Sequence, residues 1–242
     1  MSAITKEERL EINKKTYKPL IWLGILSIVM LFAGFSSGYI VSQTDSLWVK
    51  ITLPEAFYTS NYYIIGSSVT FFLATLFMKK NKRMFSNLFI FSTLILGILF
   101  VKSQYEGYLE LNKKGNYFTF GNIDKVIKNG KYGVDYVLYQ NEIELVMKDG
   151  YFYDPADRGF LKPLNEELDF EKSNRSASWL VALCGIHVIH LLGGLLSLIF
   201  VFIKTLRNKY SSENYIGMQV SSIYWHFLDF LWLYLFVFLT FF

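Results

Sequence analysis

Five apolar stretches, each long enough to cross a bilayer, limit what this chain can fold into more than any other feature. They are Leu20–Val41, Tyr62–Met78, Met84–Val101, Trp179–Ile203 and Ile216–Phe242. A helix rising about 1.5 Å per residue needs roughly 20 apolar residues to cross some ~30 Å of hydrocarbon. Backbone N–H and C=O groups find no water there, so each stretch has to satisfy them internally, as a helix. The predicted fold is an all-α membrane protein, a bundle of five transmembrane helices in which residues 1–242 form a single domain. Composition agrees, with 52% apolar and only 18% charged residues, where soluble domains carry about 25% charged. The first stretch is too long for a signal-peptide core, and no small-residue cleavage pattern follows it.

Orientation is read from Lys and Arg in short connections. The polar N-terminal tail, Met1–Lys18, carries Lys6, Arg9, Lys14, Lys15 and Lys18. The second connection carries Lys79, Lys80, Lys82 and Arg83, and the fourth Lys204, Arg207 and Lys209. These twelve lie on one side of a five-span chain, against Lys50 alone in the first connection. The expectation is a multi-pass protein of a bacterial plasma (inner) membrane with a cytoplasmic N-terminus. The C-terminus and the long third connection are then periplasmic. That connection, about 103–178, is the one extended polar segment. Val134–Gln140 and Ile143–Lys148 are short β-prone runs separated by Asn141-Glu142, and Asp149-Gly150 follows as a turn signal, so a small β-hairpin is expected there.

Ionisable residues inside a span are costly and count as functional candidates. Four occur here: His187 and His190 in the fourth stretch, His226 and Asp229 in the fifth. Each pair is spaced i, i+3, which puts its members on one helix face. His190 and Asp229 both lie about 13 residues from the cytoplasmic end of their helix, roughly 20 Å up, so an imidazole and a carboxylate can meet between the two helices. Such a cluster serves as a proton relay or buried ligand set, or as interhelical hydrogen bonds worth about 1 kcal/mol each. Gly34 and Gly38 in the first helix, and Gly193 and Gly194 in the fourth, are spaced for close helix approach. Trp225, Trp232 and Tyr234 surround the His226–Asp229 face, and Trp225 is placed to pack internally or to stack on a neighbouring subunit or acyl chain. The lone Cys184 allows no internal disulfide and no cysteine metal cluster. No phosphate loop, dinucleotide fingerprint, Ser-His-Asp arrangement or zinc motif is present. The chain is expected to carry no catalytic, cofactor-binding or metal residues, and its net charge of +4 forms no basic domain for nucleic acid.

Tyr224-Trp225-His226-Phe227-Leu228-Asp229, continuing through Trp232 to Phe236, resembles the last helix of subunit III of the haem–copper cytochrome c oxidases, Tyr-Trp-His-Phe-x-Asp-x-x-Trp-x-x-x-Phe. Gly185-Ile186-His187-Val188-Ile189-His190 with Gly193-Gly194 resembles that family's Gly-x-His-x-x-His-x-x-Gly-Gly. Leu53-Pro54 before Ser67-Ser68-Val69-Thr70 is similar to its Leu-Pro ahead of a Ser-Ser-x-Thr helix. Gly97, Phe100, Gln104 and Tyr105 are similar to its Gly-x-x-Phe-x-x-x-Gln-Tyr. The five-helix count resembles the short bacterial form, which lacks the first two of seven helices. Two features depart from the pattern. Ile28 follows Ser27 where the family often has a buried Glu, so a proton-entry role is not carried over to that position. The long outer loop is also unusual.

The resemblance implies an accessory, non-redox subunit. It would pack on subunit I, beside subunit II, in a complex that reduces oxygen to water with electrons from cytochrome c and pumps protons in aerobic respiration. Haem and copper would belong to the partner subunits. This chain would bind phospholipid, support proton uptake and stabilise subunit I. The outer loop would contact another subunit or a neighbouring respiratory complex in a supercomplex. Three alternatives stand beside this one: subunit III of a quinol oxidase, a small proton-coupled transporter, and a haem-binding electron carrier.

Overall fold

The computed structural model describes residues 6–117 and 121–242. The first five residues of the expected polar tail and residues 118–120 of the third connection lie outside the described residues. In chain order the elements are α1 (Lys6–Ser42), β1 (Leu47–Ile51), α2 (Glu55–Lys79), α3 (Arg83–Lys113), α4 (Ile123–Asn129), β2 (Tyr136–Gln140), β3 (Ile143–Glu144), β4 (Val146–Lys148), β5 (Tyr151–Tyr153), α5 (Arg175–Leu206) and α6 (Ile216–Phe241). Five of the helices, α1, α2, α3, α5 and α6, are long and apolar enough to cross a membrane. They coincide with the five predicted spans. Two run well past them. The α1 helix begins at Lys6 within the supposed tail, where Glu, Lys and Leu are good helix formers. The α3 helix continues to Lys113, beyond its predicted end at Val101.

The chain groups into two compact units, each built from parts of the same helices. One takes the described part of Met1–Leu31, with Tyr58–Gln104 and Ile186–Tyr234. Its core holds Ile64, Phe71, Ala74, Ile90, Phe100, Leu191, Leu198, Trp225 and Leu228, all buried. In it α2 and α3 are tied by a Thr70–Thr93 hydroxyl pair at 2.8 Å and by Ser86 Oγ donating to Ala74 O at 2.9 Å. Phe77 stacks on Phe89 at 5.3 Å, and Phe91 stacks on Phe202 at 5.9 Å.

The other unit takes Phe32–Phe57, Tyr105–Gly185 and Leu235–Phe242. It contains the expected hairpin: β2 and β3 pair antiparallel, with Tyr139 opposite Glu144. Asn141 and Glu142 turn the chain with φ of 48° and 68°, and Asp149-Gly150 does the same for β4 and β5 at 53° and 85°. Positive φ at both central residues matches the right-handed strand twist. The strand β1 was not expected. It joins β2 antiparallel over five residues, Leu47 opposite Gln140 through Ile51 opposite Tyr136. The first and third connections therefore lie on the same side of the membrane, as the two spans between them require. Arg175 to Asp45 at 2.7 Å and Asn174 Nδ2 to Asn116 Oδ1 at 3.1 Å tie further parts of this unit together.

Candidate functional site

The sequence-predicted polar residues of α5 and α6 come together with α2 and α3 in the first unit. Trp225 is its centre: it is fully buried, and its Nε1–H donates to Ser67 Oγ at 3.0 Å. Two glycines make room for it. A Cβ on Gly97 would stand 3.0 Å from Trp225 Cη2, and one on Gly194 would stand 3.3 Å from Trp225 Cε3 and 2.7 Å from Leu228 Cδ1. Trp225 is thus enclosed by its own chain and does not stack on lipid or on a neighbouring subunit.

His226 is held by two serines, Ser68 Oγ at 2.6 Å from Nδ1 and Ser222 Oγ at 3.0 Å from Nε2. A neutral imidazole has one donor and one acceptor nitrogen. Two hydroxyls satisfy it in either tautomer, with no charge needed. Trp232 Nε1–H donates to Asn61 Oδ1 at 2.9 Å, and Gln104 Nε2 donates to Ser60 Oγ at 2.8 Å. These bonds join α6 to α2 and α3 to α2.

The expected bond between His190 and Asp229 is not made. His190 Nδ1 donates to Ile186 O in its own helix at 2.8 Å, and Tyr224 OH reaches the His190 carbonyl at 3.1 Å. Equal depth along two helices fixes height but not azimuth, so it does not by itself bring two side chains into contact. Asp229 is buried, and neither carboxyl oxygen has a hydrogen-bond partner among the described residues. The Ser68 hydroxyl lies beside it, but is hydrogen-bonded to His226. His187 is also fully buried without a hydrogen bond, its ring lying 5.5 Å from Trp232 and 6.4 Å from Phe100. Its contacts are those of an aromatic packing residue.

The glycines separate. In the second unit a Cβ on Gly38 would stand 2.7 Å from Trp179 Cη2, whose Nε1 donates to Ser42 Oγ at 2.8 Å. Gly34, although placed at helix spacing from it, has nothing within 4 Å among the described residues. Gly193 meets only Tyr224 OH, at an ordinary 3.8 Å, so Gly194 carries the close approach alone. Sequence reasoning missed the roles of Ser68, Ser222 and Asn61. Their signal was polar residues on the α2 face that meets α6, and a serine one turn before His226 in α6 itself.

Among the described residues no three His, Cys, Asp or Glu side chains converge as metal ligands. The bonds that are made bind helices, joining α6 to α2 and α5 and α3 to α2, while His187 and Asp229 stay without a hydrogen bond among the described residues.

The family model for cytochrome c oxidase subunit III matches residues 173–242, the segment that holds α5 and α6. Curated relatives of that name match a similar length. The Spodoptera frugiperda protein is 38% identical over 53 residues, 22% of this chain and 36% of its own. The Schizophyllum commune protein is 40% identical over 53 residues, 22% of this chain and 20% of its own. A probable cytochrome c oxidase subunit 3 of Nocardia farcinica is 38% identical over 52 residues, 22% of this chain and 26% of its own. The matched segment thus spans at most about a third of these relatives, and α1, α2, α3 and the outer strands lie before it. The last two helices, with their histidine and tryptophan faces, are thus similar to cytochrome c oxidase subunit III over residues 173–242.

Proposed function

We propose that this chain is an accessory subunit of a respiratory haem–copper terminal oxidase, which reduces oxygen with electrons from cytochrome c and pumps protons. The observation that supports this most is how the polar side chains of α6 are used. Trp225, His226 and Trp232 are each spent on a helix-to-helix bond with Ser67, Ser68 and Asn61. A transport path or ligand set would leave such groups facing an open channel. Here they hold a scaffold whose outer helix faces are apolar: Leu23, Met30, Phe72, Leu88, Ile189 and Phe230 are exposed. Partner subunit I and membrane phospholipid cover such surface in this reading, and haem and copper belong to the partners. Support for proton uptake comes through the shape of the bundle, since α1 carries Ile28 and not a carboxylate at the position noted above.

The proposed setting is a bacterial plasma membrane with the basic connections in the cytoplasm and the β-strands on the periplasmic side. Purification in mild detergent tests the assignment. A haem-bearing subunit I should co-purify, while the isolated chain should show no Soret absorbance and consume no oxygen. Stoichiometric haem or copper in the chain alone would overturn the accessory role. A copper-bearing subunit II in the complex identifies cytochrome c, and not a quinol, as donor.

A further inference from the structure

Where α1 and α6 end, the second unit holds a cavity of about 250 Å³, lined by Trp48, Tyr139, Phe241 and Phe242, with Gln43, Lys50 and Glu142 as its polar residues. Neighbouring groups fix its walls. Trp48 and Tyr139 are opposite one another in the β1–β2 register, so their side chains share a face of the sheet. Phe242 stacks on Phe238 at 5.2 Å, Phe238 meets Tyr39 edge-on at 5.4 Å, and Tyr39 meets Trp48 edge-on at 5.4 Å. The Tyr139 hydroxyl donates to Glu144 at 3.2 Å. Rings held in this way lose little rotamer freedom when the cavity is filled. The mouth is broad: Phe241 and Phe242 are 74% and 46% exposed, so another chain can lie across it.

The charges of the lining are used unequally. Lys50 Nζ donates to Phe241 O at 2.8 Å and Gln43 Nε2 to Phe242 O at 2.6 Å. Both donors serve the end of α6, where a helix carries the negative end of its dipole, and the Lys50 charge offsets that end. Glu142 is exposed at the β2–β3 turn and makes no ion pair or hydrogen bond among the described residues. A free carboxylate beside aromatic rings attracts a cation. The guanidinium of arginine suits this lining best. It is flat and stacks on rings, and its forked N–H donors match a carboxylate, whereas a quaternary ammonium has no N–H to give. We propose that the cavity is a socket for an arginine side chain, presented by a protein segment on the same side of the membrane as the strands. Glu144, bonded to Tyr139, extends the acidic side of the socket, so the segment that carries the arginine is basic. The socket is built wholly from this chain's strands and helix ends and does not rest on the oxidase assignment.

Ligand-observed NMR on the full chain in detergent micelles, with N-acetyl-arginine amide as the probe, tests this. The probe should bind about fivefold more tightly than N-acetyl-citrulline amide, its uncharged counterpart. Glu142→Gln, on an exposed turn, should leave helicity unchanged and remove most of that preference. Phe242→Ala, just beyond α6, should weaken binding of the arginine probe several-fold. Equal binding of the two probes by the unaltered chain, or a preference untouched by Glu142→Gln, would overturn the proposal. Choline binding as tightly as the arginine probe would overturn recognition of a guanidinium. Binding of free arginine without binding of the blocked probe would overturn a protein segment as occupant.

Discussion

The Trp225 pocket makes a sharp test of how this helix bundle is held together. A Cβ at position 97 would come within 3.0 Å of Trp225 Cη2 and 3.3 Å of Cζ2, both on the six-membered part of the indole. The ring is fully buried and anchored through Nε1 to Ser67, so it cannot move aside cheaply. Leu195 Cδ2 is equally close, but it is the free end of a flexible side chain. Overpacking of this kind costs about 1–3 kcal/mol, and Gly97→Ala should destabilise the bundle by that much. Trp225→Phe removes the six-membered ring and the Ser67 bond. The lost bond accounts for about 0.6–1.7 kcal/mol in a membrane, and the emptied space adds a cavity cost. The two changes are expected to be strongly non-additive, because Phe vacates the volume that the alanine methyl would enter. In the Phe background Gly97→Ala should cost close to nothing, leaving a coupling of about 1–3 kcal/mol. Reversible unfolding in mixed detergent–lipid micelles, followed by tryptophan emission and helicity, measures all four corners of the cycle. An equal Gly97→Ala penalty in both backgrounds would refute the packing argument.

Three further outcomes follow from other parts of the molecule. Asp229→Asn should leave assembly and oxygen consumption of the complex within about twofold of normal, because the carboxylate has no bonded partner to lose; full assembly with lost electron transfer would assign Asp229 a chemical role. Just past the end of α3, Lys114 Nζ lies 2.8 Å from Oδ1 of Asp135, the residue before β2. Burial opposes both charges, but their mutual bond, with Lys131 and Glu110 assisting, holds the Asp135 carboxyl below its usual 3.8 and Lys114 above its usual 10.5. Their contribution, under about 1 kcal/mol, is full between those two values. It is lost as pH falls through the lowered Asp135 value or rises through the raised Lys114 value; a denaturation profile unchanged by Asp135→Asn on the acid side would contradict this. Replacing residues 115–171 by a short Gly/Ser linker should leave five inserted helices but free Leu47–Ile51 for proteolysis, since β2 is its pairing partner. Native electrophoresis of solubilised membranes then reads whether association with a neighbouring complex is lost, and an unchanged pattern argues against a docking role for the loop.

The five helices were legible because a bilayer imposes one length and one backbone solution, so apolar run length alone decides. The hairpin was legible from Asn141-Glu142, where the turn chemistry is local. The strand β1 was not, because Leu47–Ile51 shows no pattern of its own and its partner is far along the chain. The extra turns of α1 from Lys6 escaped notice because membrane patterning falls silent once a helix leaves the apolar layer. In the site, the residues His187, His226, Asp229 and Trp225 stood out as polar or bulky groups inside spans, but their partners did not. Ser222 stands one turn before His226 in the same helix, but Ser68 looks like a serine that bonds its own helix, and only packing turns it toward His226. Gly34 and Gly38 show the same limit: identical residues one turn apart, of which only Gly38 meets another side chain within 4 Å.

The pairing of β1 with β2 also sets an order of events during synthesis. Ile51 and Tyr136 are neighbours in the sheet, yet 85 residues of chain separate them. Two hydrophobic helices, α2 and α3, have to emerge and insert between the two strands. For that interval β1 has no partner, and Leu47, Val49 and Ile51, all buried in the finished protein, are left uncovered. Closing so long a loop is slow as well as entropically costly. A mutation that merely delays insertion of α3 would prolong the life of an exposed, β-prone edge. Its damage would show as aggregation of newly made chains, with the stability of mature protein unchanged.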